Sequence, residues 1–137
     1  MLLPDNSEYK PVEHPNMAPT RTANGHLSVK ERLGSYDEID QTYTEEEALE
    51  EASRCLYCPT HWCQKACPAG VPVADFIAKI REKDYEGAYA LIHTASSLPE
   101  MCSRLCPQEK QCQSNCTRSI CSKSVAIGKL ERFVADW

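Results

Sequence analysis

Residues 55–68 read Cys55-Leu56-Tyr57-Cys58-Pro59-Thr60-His61-Trp62-Cys63-Gln64-Lys65-Ala66-Cys67-Pro68, a C-x2-C-x4-C-x3-C-P run. Four thiols so close in sequence are poorly used as inert apolar side chains; they converge on a group that is positively charged or oxidising. Iron–sulfur chemistry is the economical reading. Two-cluster ferredoxins carry a C-x2-C-x2-C-x3-C-P run that gives three cysteines to one cubane and the fourth to the other. Here the middle gap is four residues, so the match is one of logic rather than identity. A second block answers the first, with Cys102, Cys106-Pro107, Cys112, Cys116 and Cys121. Two blocks of thiols, each with a Cys-Pro step, suggest two [4Fe–4S] clusters with about one cysteine left over.

A chain of 137 residues fits one small domain. Nine cysteines stand beside only two Phe and two Trp, so metal or disulfide staples are expected to supplement a modest core. The start, Met1-Leu2-Leu3-Pro4-Asp5-Asn6-Ser7-Glu8, has no basic opening and no long apolar stretch, so no secretory signal is expected. Without one, cysteines at C-x2-C spacing bind metal more often than they pair. No run approaches ~18 apolar residues, so no membrane span is expected. A net charge of −5 without a basic stretch argues against a nucleic-acid surface. A cytoplasmic protein is the expectation.

Residues 1–40 hold Pro4, Pro11, Pro15 and Pro19 among polar side chains and show no helical or strand period. They read as an extended or partly disordered arm, with a weak turn at Asn24-Gly25, that gains order by wrapping another surface. From 41 to 137 the pattern is helical, and the fold class expected is all-α. Thr44-Glu45-Glu46-Glu47 is a capping box whose acids suit the positive end of the helix dipole. That helix is expected to run through Ala48, Leu49, Ala52 and Leu56, to deliver Cys55 and Cys58 at its C-terminal end, and to stop at Pro59, with a solvated acidic face. A second helix spans 73–83, with Val73, Phe76, Ile77 and Ile80 inward; a third runs from an Asp84 N-cap to His93. His93 suits the negative end of that helix rather than a metal. A short helix carries Cys102 and Cys106 and breaks at Pro107. Cys112 and Cys116 share a face if helical. A last helix runs from about 124 to Trp137, with Val125, Leu130, Phe133 and Val134 inward. Its end, within a helical pattern and without a C-cap, reads as a fragment or detached module.

Beyond these patterns, Tyr43-Thr44-Glu45-Glu46-Glu47-Ala48 leads to Glu51-Ala52-Ser53-Arg54-Cys55-Leu56-Tyr57-Cys58, followed by Cys63 and Cys67-Pro68. Leu98-Pro99-Glu100-Met101-Cys102-Ser103-Arg104-Leu105-Cys106-Pro107 and Val125-Ala126-Ile127-Gly128-Lys129-Leu130-Glu131-Arg132-Phe133 come later in the chain. On these motifs, residues 36–137 closely resemble the N-terminal iron–sulfur domain of the glutamate synthase small (β) subunit family, a domain shared with dihydropyrimidine dehydrogenase and related NAD(P)H flavin oxidoreductases. The resemblance implies a small α-helical ferredoxin-like domain around two [4Fe–4S] clusters. It also implies an electron relay between a flavin and a partner subunit or domain, not catalytic alone. FAD and NAD(P)H domains follow in such relatives. This chain has no G-x-G-x-x-G, so flavin and nucleotide are expected from a partner or from segments outside it.

The resemblance further implies ligands. Cys55, Cys58 and Cys63 hold the first cluster, with Cys116 returning from the second block; Cys67, Cys106 and Cys112 hold the other. Relatives place a Glu or Gln from the final helix as its fourth ligand, which here is Glu131, with Gly128 one turn earlier allowing close approach. Cys121 competes for that place, and Cys102 is expected to be a buried spectator. Many relatives have Gly at Ser103 and no cysteine at Cys121. Zinc is the rival metal, but C-x4-C-x3-C-P and C-x5-C-x3-C suit paired zinc knuckles poorly. Catalytic thiol chemistry would need an activated cysteine with a base. His61 is the only tempting base, and it reads instead as a loop residue shielding a cluster, as does Trp62. A docking module whose metal only stabilises the fold is the other functional reading.

Overall fold

The computed structural model describes residues 12–137; expectations that rest on residues 1–11, Pro4 and Pro11 among them, lie outside the described residues. Within that span the chain forms helices α1 (Val29–Gly34), α2 (Glu45–Ala52), α3 (Trp62–Lys65), α4 (Val73–Arg81), α5 (Tyr85–His93), α6 (Pro99–Leu105) and α7 (Ile127–Asp136). No strand occurs among the described residues, only an isolated antiparallel bridge between His26 and Asp40.

Apolar spacing builds the core. Helix α4 buries Val73, Phe76, Ile77 and Ile80, and α5 buries Tyr85, Ala88 and Ile92. Helix α7 closes over both with Ile127, Leu130, Phe133 and Val134, each full burial contributing about 1.5–3 kcal/mol. Tyr85 meets Phe133 edge to face, with ring centroids 5.3 Å apart. The caps read from sequence are present. Thr44 and Glu47 cap α2 reciprocally, and the Asp84 carboxylate accepts from the Gly87 amide at 2.9 Å.

Differences lie at the ends of elements. Helix α2 stops at Ala52, four residues short of Leu56. The Arg54 and Cys55 amides bond three residues back, to Glu51 and Ala52, because Arg54 draws its side chain into the interior. Cys112 and Cys116 lie in turns between the short 3-10 segments Gln108–Lys110 and Thr117–Ile120, so they share no helix face. Helix α7 begins at Ile127 rather than near Ser124. Helix α1 falls where no period was visible; a Ser28–Glu31 capping box supports it, and it buries nothing. Asn24-Gly25 makes no tight turn: Gly25 O accepts from the Gln41 amide at 2.9 Å, pairing this stretch with residues 39–41.

The acidic face of α2 is not wholly solvated. Glu51 is fully buried and pairs with fully buried Arg54 at 2.7 Å. Glu51 accepts from the Thr22 amide at 2.7 Å and the Ala126 amide at 2.8 Å. Arg54 donates to Lys123 O at 2.6 Å and to Ala18 O at 3.2 Å. The arm is thereby fastened to the core, aided by Tyr43 Oη donating to Thr22 O at 2.8 Å. A second anchorage lies at the surface, where Arg104 and Arg132 bridge Glu38 and Asp136. Removing one partner of a buried pair leaves an uncompensated charge, at a cost of about 3–5 kcal/mol. Glu51→Gln should lower stability by about that amount in denaturant unfolding, while Glu50→Gln, at an exposed site, changes it by no more than about 0.5 kcal/mol.

Candidate metal centre

The loop after α2 presents Cys55 and Cys58 by way of two non-glycine residues in left-handed backbone. Tyr57 has φ 50° and His61 has φ 46°, each costing about 1–3 kcal/mol. Local bonds hold the shape: Tyr57 Oη donates to Asp75 Oδ1 at 2.6 Å, and the His61 amide donates to Cys58 O at 3.2 Å. Cys63 follows on α3, and Cys116 arrives from the second block just before the 117–120 turn. Cys55, Cys58, Cys63 and Cys116 line one cavity, together with Trp62, Thr117 and Arg118. Cys58 Sγ lies 3.3 Å from Thr117 Oγ1, a contact between the two blocks.

Cys67 stands apart from these four. The chain turns at Cys67-Pro68-Ala69-Gly70, where the Gly70 amide bonds Cys67 O at 2.9 Å and Gly70 takes φ 75°, a conformation glycine adopts without strain. Cys67 then neighbours Cys106, at the end of α6, and Cys112, in the following turn. Glu131, only 8 % exposed on α7, faces the same two thiols.

Electrostatics follow the same division. Burial pushes Cys55 up to about 11 and Cys63 to about 12, with mutual repulsion among Cys55, Cys58, Cys63 and Cys116 adding to it. Burial raises Cys106 to about 11, helped by Cys102, Glu131 and Cys67; it raises Cys112 to about 12, helped by Cys67 and Glu131. Burial alone lifts the Glu131 carboxyl to about 7. That carboxyl makes no hydrogen bond or ion pair among the described residues. Two sets of donors are thus held where charging them costs energy. A bound cation reverses that logic, deprotonating a coordinating thiol outright. The donor set, dominated by thiols, suits iron–sulfur chemistry. Among the described residues no three His, Cys, Asp or Glu side chains approach closely enough to hold one metal ion between them; the first four thiols stand around a shared cavity.

The remaining residues singled out from sequence fall elsewhere. Cys121 is exposed. Cys102 is half-buried rather than buried, beside Cys106 and 3.6 Å from Ser96 Oγ. His93 is exposed and shares a hydrogen bond with Tyr89 Oη at 2.9 Å. Trp62 is 54 % exposed at the rim of the first cavity, with Lys65 Nζ 4.6 Å from its ring centre. His61 Nδ1 is buried without a partner among the described residues. Gly128 admits the Gln108 carboxamide, which a Cβ would displace and which donates to Ser103 O at 2.8 Å. Its missing side chain therefore serves the contact between α7 and the turn after α6. Arg118 was not singled out from sequence. Its one visible signal is an arginine two residues beyond a cysteine.

Comparison with known proteins gives the family. Residues 32–137 match the family model described as dihydropyrimidine dehydrogenase domain II, 4Fe-4S cluster. The chain is 42% identical over 101 residues to the NAD-dependent dihydropyrimidine dehydrogenase subunit PreT of Escherichia coli K12, covering 74% of this chain and 24% of that protein. It is 34% identical over 134 residues to the putative oxidoreductase UacF of the same organism, covering 96% and 21%. It is 31% identical over 124 residues to the NADPH glutamate synthase small chain of Halomonas elongata, covering 90% and 24%. The chain thus spans about a quarter of the length of these relatives. It belongs to the 4Fe–4S domain family of dihydropyrimidine dehydrogenase domain II, the iron–sulfur, electron-transfer part of oxidoreductases that include the glutamate synthase small chain.

Proposed function

We propose that residues 41–137 form an α-helical ferredoxin-like domain around two [4Fe–4S] clusters, with residues 1–40 as its arm. In this reading it relays single electrons between a flavin and a partner subunit or domain of an NAD(P)H-dependent, glutamate-synthase-small-subunit-like oxidoreductase. The observation that carries the reading is the sorting of donors. Cys55, Cys58, Cys63 and Cys116 line one cavity, while Cys67, Cys106 and Cys112 share an environment with an unpartnered buried Glu131. We assign the first four as ligands of one cluster and the second four as ligands of the other. When bound, such clusters supply one-electron chemistry at potentials set by ligands, hydrogen bonds and burial.

The chain's own residues do the positioning. Tyr57 and His61 fix the first loop, and Trp62 covers part of its cavity. Helix α7 brings an oxygen donor, harder than a thiolate, to the second set. FAD and NAD(P)H come from other domains or a partner. Nine free cysteines suit the cytoplasm, where thiols stay reduced. The described residues contain no helix long and apolar enough to cross a membrane.

Anaerobic reconstitution with iron and sulfide should load two cubanes, visible as a broad charge-transfer absorbance that dithionite bleaches reversibly and as paramagnetic signals on reduction. Two zinc ions and no cubane would overturn the reading. Single substitutions test the ligands. Cys116→Ser should damage the first cluster's spectrum more than the second's, and Glu131→Ala the reverse. Cys121→Ala should alter neither; a change in the second cluster with Cys121→Ala alone would remove Glu131 from the ligand set.

A further inference from the structure

Arg118 is only 2 % exposed, although it sits in a short 3-10 segment next to exposed residues, and its guanidinium is only partly used. Nη2 donates to Ala18 O at 2.7 Å and Nη1 to Met17 Sδ at 3.0 Å. Nε is buried with no hydrogen-bond partner among the described residues. Leaving such a donor unmade costs about 1–3 kcal/mol, and more for a charged group. Arg118 also lines the cavity ringed by Cys55, Cys58, Cys63 and Cys116. Two other arginines of this region are engaged elsewhere, and Arg81, whose charge also acts on Cys55, is partly exposed on α4. Arg54 pairs with Glu51 at 2.7 Å, and Arg21 donates to Ser124 O at 2.8 Å and Gln113 Oε1 at 2.7 Å. Arg118 has no carboxylate partner among the described residues.

We propose that Arg118 is a positioning residue that sets the reduction potential of the first cluster. Its Nε–H donates to sulfur at that site, and its charge offsets the negative charge of the thiolate-held cluster. The inference rests on the reading of those four cysteines as a cluster site. One electron taken up from a reductant adds one negative charge there. A desolvated cation favours that state far more than an exposed one does, because the surrounding dielectric is low. Hydrogen bonds to the sulfurs act in the same direction and are an established lever on cluster potential. The arm takes part, since Met17 and Ala18 hold the two Nη groups and the Asn16 amide bonds Ser53 O at 2.9 Å.

The test is a mediated redox titration of the anaerobically loaded 137-residue chain, with dithionite as reductant and paramagnetic resonance as readout, for Arg118→Gln and Arg118→Lys. Arg118→Gln should cut the first cluster's reduced-to-oxidised ratio at fixed potential by about tenfold, equivalent to ~59 mV for one electron, and leave the second cluster within about twofold. Arg118→Lys keeps the charge but not the Nε–H; it should shift the first cluster the same way by about twofold or more, and it decides the matter if the glutamine variant does not load. A loaded first cluster with unmoved potential, alongside a lowered melting temperature, would mean that Arg118 only anchors the arm and would overturn this inference alone. Failure of the unaltered chain to load a cluster at Cys55, Cys58, Cys63 and Cys116 would overturn both this inference and the reading on which it rests.

Discussion

The buried ion pair between Glu51 and Arg54 is the constraint on which the rest of the structure depends. Two charges taken out of water cost several kcal/mol each, repaid only when the remaining donors and acceptors are satisfied. Here the main chain of two distant segments satisfies them: Ala18 and Thr22 in the arm, and Lys123 and Ala126 in the link to α7. Such a pair is not in itself a large stabiliser. Its consequence is positional. Arg54 directly precedes Cys55, and the 123–126 link follows Cys116 and opens the helix that carries Glu131. One junction therefore sets both cysteine blocks and α7 in register.

The two proposed donor sets differ in chemistry and surroundings. The first is all sulfur, bordered by the half-exposed Trp62 and by a buried arginine. The second combines three thiols with a carboxylate that burial has already pushed up to about 7. On the proposed ligand sets, both clusters carry net negative charge inside a chain whose net charge is −5. How that charge is offset then decides the order of their potentials. Arg54 is neutralised by Glu51, whereas Arg118 is not neutralised by any carboxylate among the described residues.

Features that depend on local chemistry were legible in the sequence. The Thr44 capping box and the Asp84 cap are where the sequence placed them, as are the helically spaced apolar residues of α4 and, in α7, Leu130, Phe133 and Val134. The cysteine spacings pointed to metal, and the four thiols that gather at one cavity include one from a distant block. Features that depend on a distant partner were not legible. Glu51 sits in a run of acids and looks solvated until the Ala126 and Thr22 amides are seen to meet it. The early end of α2 follows from Arg54 reaching inward, which no local preference encodes. Helix α1 is carried by Ser28 and Glu31 without an apolar face, so periodicity passes over it. Arg118 lies in a segment that reads as polar surface, and only its neighbours bury it.

The central claim is that two clusters form at two separate sets of donors drawn from both cysteine blocks. The most direct measurement is diffraction at the iron absorption edge from crystals of the anaerobically loaded chain. The claim predicts two compact anomalous peaks per molecule, one within reach of Cys55, Cys58, Cys63 and Cys116 and one within reach of Cys67, Cys106, Cys112 and Glu131. A single peak, or a peak ligated by Cys121 in place of Glu131, would contradict it.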